Sequence, residues 1–176
     1  DDAETVIERD RKLADEVAKE LKRLIEETRD LARRIREELR RLIEELKTLA
    51  KRAKDEVRGD EVVEKVKKEL DEILKTIEDL VREVKRELDE SNERAKELVR
   101  RIKKRNDDTV KEVQGTDRDV VRELREIARK INEDLDDLLR KHNEIVEKIK
   151  RDLDRLLEEA RKILEEIKRE LDETKK

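Results

Sequence analysis

The apolar residues of this chain recur every three or four positions, and the positions between them are mostly Glu, Lys and Arg. Steps of three and four place one broad apolar face along an α-helix. Such a face is wider than a two-stranded coiled coil requires and has the width that a bundle helix needs. In the first third of the chain it comprises Ala3, Ile7, Ala14, Val17, Leu21, Leu24, Leu31, Ile35, Leu39, Leu42, Leu46, Leu49, Ala53 and Val57.

Two glycines, Gly59 and Gly115, divide this pattern into three segments of similar length, and the chain contains no proline. We therefore predict three helices, at about 2–58, 61–114 and 117–175, joined by two tight turns. Short connections make neighbouring helices antiparallel. The predicted fold is all-α, an antiparallel up-down-up bundle that forms one domain over residues 1–176. The apolar seam drifts against a strict seven-residue repeat, which predicts long, nearly straight helices.

The residues around both glycines have the chemistry of helix ends. Gly59 can adopt the left-handed conformation that closes the first helix, and Asp60 can then cap the second. Gly115 is expected to repeat this arrangement, with Thr116 or Asp117 capping the third helix.

The first turn also contains the tripeptide Arg58-Gly59-Asp60, which resembles the recognition sequence of integrin ligands. That motif is usually presented on an extended loop, whereas Arg58 is expected to belong to a helix. Glycine followed by aspartate is what a helix end followed by a helix start requires. We therefore interpret the tripeptide as a turn.

Three polar residues interrupt the apolar seams, one in each predicted helix: Thr28, Ser91 and His142. Folding the sequence about the two glycines brings all three to one level of the bundle. A buried polar group without a partner costs about 1 to 3 kcal/mol, so we expect these groups to bond to one another. We predict a buried hydrogen-bonded layer, extended by Asn92 and Asn143 on the adjoining flanks, that fixes register and topology.

A second polar layer is indicated near one end of the bundle. Asp10 occupies a seam position opposite about residue 108, close to Asn106 and Thr109. Simple solvation at a bundle end is the alternative interpretation. Asn132 lies beside the third seam, and the sequence identifies no partner for it.

Ser91 and His142 supply a hydroxyl and an imidazole, the minimum for a nucleophile and its base. A working site also needs an orienting acid, oxyanion donors and substrate access, none of which the sequence indicates. One histidine among hydroxyls and amides is a poor ligand set for zinc or copper, and cysteine is absent. We predict no catalytic residue, metal or cofactor, and no enzyme activity.

Composition narrows the choice of partners. Charged residues make up 58% of the chain, yet the net charge is only −4. The densest basic stretch, at 100–105, is followed at once by Asp107 and Asp108, so it predicts a solvated helix face and no nucleic-acid site. No apolar run is long enough for a signal peptide or a membrane span. We expect a soluble monomer, with a homo-oligomer left open, and the sequence specifies no cellular location beyond compatibility with recombinant cytoplasmic expression.

Taken together, the capped helices of equal length, minimal loops, Glu/Lys/Arg surfaces and Leu/Ile/Val/Ala cores resemble computationally designed helical bundles with a buried hydrogen-bond network. The resemblance extends over the whole chain and implies a structural scaffold or building block without a natural biochemical function. The alternative is a helical interaction module that self-associates or reversibly binds lipid or a partner helix.

Overall fold

The computed structural model describes residues 3–56, 59–115 and 117–174. They form three helices: α1 (Ala3–Glu56), α2 (Asp60–Glu112) and α3 (Arg118–Thr174). No strand occurs in these three ranges. The all-α prediction is confirmed, and the observed helix bounds lie within two residues of those predicted from the glycines and the apolar period.

The chain divides into two compact units, and each unit contains one part of every helix. Unit 1 comprises Asp1–Arg29 and Leu88–Glu147, and unit 2 comprises Asp30–Glu87 and Lys148–Lys176. A single domain over residues 1–176 stays a prediction.

Ion pairs define the helix directions in unit 2. Lys67 of α2 pairs with Asp172 of α3, and further along α2 Asp71 pairs with Lys168, which precedes Asp172 in α3. The α2 and α3 segments are therefore antiparallel. The α1 and α3 segments are parallel, because the pairs Arg36–Asp152 and Lys54–Glu170 advance together along both helices. This is the predicted up-down-up arrangement.

The core of unit 1 contains two separate apolar clusters. The larger buries Val17, Leu21, Leu24, Ala95, Val99, Ile102 and Leu135. The smaller buries Val113, Val121 and Leu124, with Ile7 packed against it. Along α1 and α2, three buried polar residues lie between the two clusters: Asp10, Asn106 and Thr109.

The core of unit 2 is apolar throughout its described residues. Its fully buried side chains include Leu39, Leu46, Leu70, Ile77, Leu153 and Leu171. Complete burial of one such side chain contributes about 1.5 to 3 kcal/mol. Hydrophobic burial is therefore the main source of stability in this unit.

In the first turn, the N-cap of α2 lies one position earlier than the sequence predicted. Gly59 has φ 112°, in the left-handed region that favours glycine. Its carbonyl accepts the hydrogen bond from the Val63 amide at 3.3 Å, which places Gly59 at the N-cap of α2. Asp60 is consequently the first helical residue, not the N-cap as expected, and its carboxylate lies where the helix dipole favours negative charge. Arg58 lies outside the described residues.

The second turn is built differently. Gly115 does not adopt a positive φ, so the expectation that it repeats the geometry of Gly59 is wrong. Instead α2 ends in a tightened turn, in which the Gln114 amide donates to the Lys111 carbonyl at 3.3 Å. Asp117 caps α3: its carbonyl accepts from Val121, and its Oδ1 accepts from the Asp119 amide at 3.0 Å. Thr116, the alternative cap, lies outside the described residues.

Candidate functional site: a polar cluster around His142

Five polar residues of unit 1 form what we call the His142 cluster: Thr28 from α1, Ser91 and Asn92 from α2, and His142 and Asn143 from α3. His142 is fully buried, and Thr28 and Asn92 are buried beside it. Ser91 is half-buried, and Asn143 is exposed although it was expected to be part of a buried layer. The cluster therefore leads from the core of the unit to its surface.

Two hydroxyl groups approach one side of the His142 ring. Ser91 Oγ lies 3.1 Å from Nε2, and Thr28 Oγ1 lies 3.5 Å from the same nitrogen. Hydroxyl groups can donate or accept, so these two contacts alone do not determine which ring nitrogen holds the proton.

The other side of the ring determines the tautomer. The Nδ2 group of Asn92 donates to Asn143 Oδ1 at 3.0 Å, which turns Asn92 Oδ1 towards His142 Nδ1 at 3.3 Å. A carbonyl oxygen can only accept, so this network assigns the proton to Nδ1. Nε2 is then unprotonated and accepts a hydrogen bond from the Ser91 hydroxyl. The order of donation runs from Ser91 to His142, then to Asn92, and from Asn92 to Asn143.

The electrostatic environment favours a neutral ring. Burial lowers the pKa of His142, because the charged imidazolium loses hydration in the core. The groups hydrogen-bonded to the ring are hydroxyls and an amide, and none of them carries a charge. The cluster therefore stabilises a neutral imidazole through a chain of neutral hydrogen bonds.

The series Ser91, His142, Asn92 has the connectivity of a nucleophile, its base and an orienting group. Ser91 Oγ is also within the distance that proton transfer to His142 requires. All three residues lie in helix interiors, where backbone amides bond to carbonyls one turn earlier and cannot serve as oxyanion donors. The helix backbone beside Ser91 therefore supplies no donor for a reaction intermediate.

A second set of polar residues lies in the same unit. Asp10, Asn106 and Thr109 are 8%, 3% and 6% exposed. Asn106 Nδ2 donates to Asn132 Oδ1 at 2.9 Å, so Asn132 has the partner that sequence reasoning did not find. Asp10 Oδ1 is buried without a hydrogen bond among the described residues, and its nearest cation is Arg105, with Nε at 3.8 Å. This set is therefore only partly satisfied.

The Asn106–Asn132 pair was missed because counting from Gly115 places Asn132 opposite a position about two helical turns away. Helical side chains lean towards the N-terminus of their own helix. In an antiparallel pair each side chain points back along its own helix. Residues in contact therefore have slightly higher sequence numbers than a count from the turn predicts. This lean amounts to about one residue position per helix, so it accounts for only part of the offset, and residue spacing supplies no signal for the rest.

In the described ranges, no group of three or more His, Asp or Glu side chains is arranged to hold a metal ion. None of the described helices combines the length and the apolar character needed to cross a membrane.

No protein-family model matches the sequence, and no curated protein matches it. A solved structure described as a computationally designed three helix bundle is similar in fold, with a TM-score of 0.56. The alignment covers 98% of this chain and 88% of that chain at 21% identity. The chain has the fold of a three-helix bundle. At this level of identity the likeness to the designed bundle is one of fold alone.

Proposed function

We propose that this chain is a designed structural scaffold without catalytic activity, in which the His142 cluster specifies how the helices of unit 1 pair. The observation that carries the proposal is the continuous hydrogen-bond chain from Ser91 through His142 and Asn92 to Asn143. The designed three-helix bundle of similar fold and the absence of a matching natural family also support it.

Directional bonding is the reason to assign a specifying role to the cluster. Apolar helix faces can slide by one turn and still bury similar area, because hydrophobic contact is non-directional. A slide of one turn in unit 1 would separate His142 from Ser91 and Asn92 and leave buried polar groups without partners. Each such group costs about 1 to 3 kcal/mol, so alternative registers are penalised more than the native one.

The test compares the native chain with an apolar variant that carries Thr28→Val, Ser91→Ala, Asn92→Leu and His142→Leu. Register in unit 1 is measured by cross-linking pairs of introduced cysteines. The chain has no cysteine of its own that could compete. Asn106 Nδ2 and Asn132 Oδ1 are 2.9 Å apart, and both side chains are short, so cysteines at these two positions report the native register. Cysteines replacing Asn106 and Asp136 report a slide of about one turn.

We expect the native chain to cross-link only through the native pair. The apolar variant should stay helical and cross-link through both pairs, because its core no longer distinguishes the registers. Thr48→Val with Thr76→Val, two exposed threonines of unit 2, serves as the control and should behave as the native chain. Exclusive native cross-linking in the apolar variant would contradict the proposed role of the cluster.

A further inference from the structure

A groove of about 530 Å³ lies between α1 and α2 in unit 1. Leu13 and Val17 line it from α1, and Leu98 and Ile102 line it from α2. Val17 and Ile102 are buried, and Leu13 and Leu98 are half-buried against the larger apolar cluster of this unit. The groove therefore has a floor of aliphatic side chains, of which Leu13 and Leu98 are partly exposed to solvent.

Cations predominate among the charged residues of the groove. Arg101, Lys104 and Arg105 line it, together with the single carboxylate Asp108. These cations belong to the basic stretch at 100–105, which we interpreted from the sequence only as a solvated helix face. The groove joins that stretch to an apolar surface, which the sequence pattern did not reveal.

The hydrogen-bond donors of these cations are available. Within the described residues, none of the three donates a hydrogen bond: Arg101 Nε is 3.5 Å from Glu97, and Arg105 Nε is 3.8 Å from Asp10, both outside bonding geometry. Lys104 has no ion-pair partner in the same ranges. The adjacent Arg100, which does not line the groove, donates to Glu97 at 2.7 Å. Lys104 is therefore without an ion pair in the described ranges, and Arg101 and Arg105 are held only by long ion pairs beside the apolar floor.

We propose that this groove binds a monomeric single-chain anionic amphiphile, such as an alkyl carboxylate. The alkyl chain would lie along Leu13 and Leu98, and the head group would accept charge-assisted hydrogen bonds from Lys104 and the guanidinium groups beside it. Charge complementarity selects the anionic head, since the lining residues have a cationic excess. This inference is independent of the scaffold role, because it involves no residue of the His142 cluster.

A groove of unit 2 provides the matched control. It measures about 610 Å³ and is lined by Lys47, Arg155 and Lys162 together with the carboxylates of Glu158, Glu159 and Glu166. Its charges balance, and Ile163 is its single apolar side chain. We expect no binding of an anionic amphiphile there.

The experiment titrates the full chain with decanoate below its micelle-forming concentration, in parallel with decyltrimethylammonium and decanol. These probes differ in the head group and are similar in the tail. Binding is followed by calorimetry and by methyl NMR of Leu13, Leu98 and, as a control, Ile163. Lys104→Glu reverses one exposed charge of the groove, and Lys162→Glu makes the same change in unit 2.

We expect decanoate to bind with 1:1 stoichiometry, shifting the methyl signals of Leu13 and Leu98 but not those of Ile163. Lys104→Glu should weaken binding about tenfold, the loss expected when one charged hydrogen-bond donor is replaced by a repelling charge. Lys162→Glu should leave it unchanged. Equal affinity for decyltrimethylammonium, unchanged affinity in Lys104→Glu, or no binding of free decanoate would each overturn the proposal. It would likewise fall if the Leu13 and Leu98 signals shifted with protein concentration alone, because a second copy would then occupy the groove.

Discussion

The two units have the same three-helix arrangement but place their polar interactions differently. All buried polar side chains found among the described residues belong to unit 1: Asp10, Thr28, Asn92, Asn106, Thr109 and His142. In unit 2 the buried side chains are apolar, and ion pairs at the edge of the core join the helices. These pairs are Arg36–Asp152, Lys54–Glu170, Lys67–Asp172, Asp71–Lys168, Glu78–Arg161 and Lys85–Asp154.

This difference separates stability from specificity. Ion pairs near a protein surface contribute about 0 to 1 kcal/mol each, and salt screens them. A buried hydrogen bond contributes a similar net amount, but breaking it leaves a desolvated polar group with a larger cost. Wrong pairing of the helices is therefore expected to cost more in unit 1. Unit 2 depends on apolar burial and is expected to tolerate changes at its rim, by which we mean the ion pairs at the edge of its core.

The largest expected effect comes from placing a polar side chain in the core of unit 2. Leu153 is fully buried there. Leu153→Asn should lower the free energy of unfolding by about 4 kcal/mol, because it removes apolar burial and buries an amide without a partner. Guanidinium unfolding followed by circular dichroism measures this loss. Leu153→Met is the control and should cost less than about 1.5 kcal/mol. Similar values for both variants would show that this core accepts polar groups as unit 1 does.

Replacing Asp10 should raise the free energy of unfolding, whereas replacing Leu153 lowers it. Asp10 Oδ1 is buried without a hydrogen bond among the described residues, so Asp10→Leu should raise the free energy of unfolding by about 1 to 2 kcal/mol. The exposed Asp15 of the same helix is the control, and Asp15→Leu should change stability by less than about 0.5 kcal/mol. The same unfolding assay applies. Destabilisation by Asp10→Leu would mean that this carboxylate has a favourable role that the geometry does not reveal.

Stability should also depend on pH through His142. Burial lowers the pKa of His142 in the folded chain below its unfolded value of about 6.5. The unfolded state therefore binds more protons between the two values, and stability rises with pH in that window. We expect full stability above pH about 6.5 and a decline as pH falls through 6.5 towards the folded-state pKa. Denaturant unfolding of the native chain and of His142→Leu from pH 8 to 5 measures the difference, and identical profiles would contradict it.

The smallest effect is expected at the rim of unit 2. Arg36 Nη2 lies 2.9 Å from Asp152 Oδ2, and both side chains are partly exposed. Arg36→Met should cost less than about 1 kcal/mol, and the cost should shrink further in high salt. The exposed Arg33, which pairs within its own helix, provides the control variant Arg33→Met. A loss above about 2 kcal/mol specific to Arg36 would make the rim pairs of unit 2 comparable to the buried bonds of unit 1.

Much of the fold could be predicted from the sequence because helix period, glycine position and chain direction depend on local properties. Counting residues from the glycines selected Thr28, Ser91 and His142, three residues whose side chains meet in the structure.

Three features depend on three-dimensional geometry and could not be predicted in this way. Asn106 and Asn132 meet about two helical turns from the level that a count from Gly115 predicts, and the lean of helical side chains accounts for only part of this offset. Gly115 has no positive φ, and the end of α2 before it is closed by a tightened turn that residue spacing does not specify. The missing hydrogen bond of Asp10 depends on which donors reach its level, and residue spacing does not specify this.

The most direct test of the His142 cluster is the protonation state of its ring, measured by long-range ¹⁵N–¹H NMR. His142 is the only histidine in the chain, so its nitrogen signals require no further assignment. The hydrogen-bond order from Ser91 to Asn143 predicts a neutral ring at pH 7 with the proton on Nδ1 and a midpoint of titration below about 6.5. A proton on Nε2, a mixture of tautomers typical of a free imidazole, or a midpoint at or above 6.5 would contradict it.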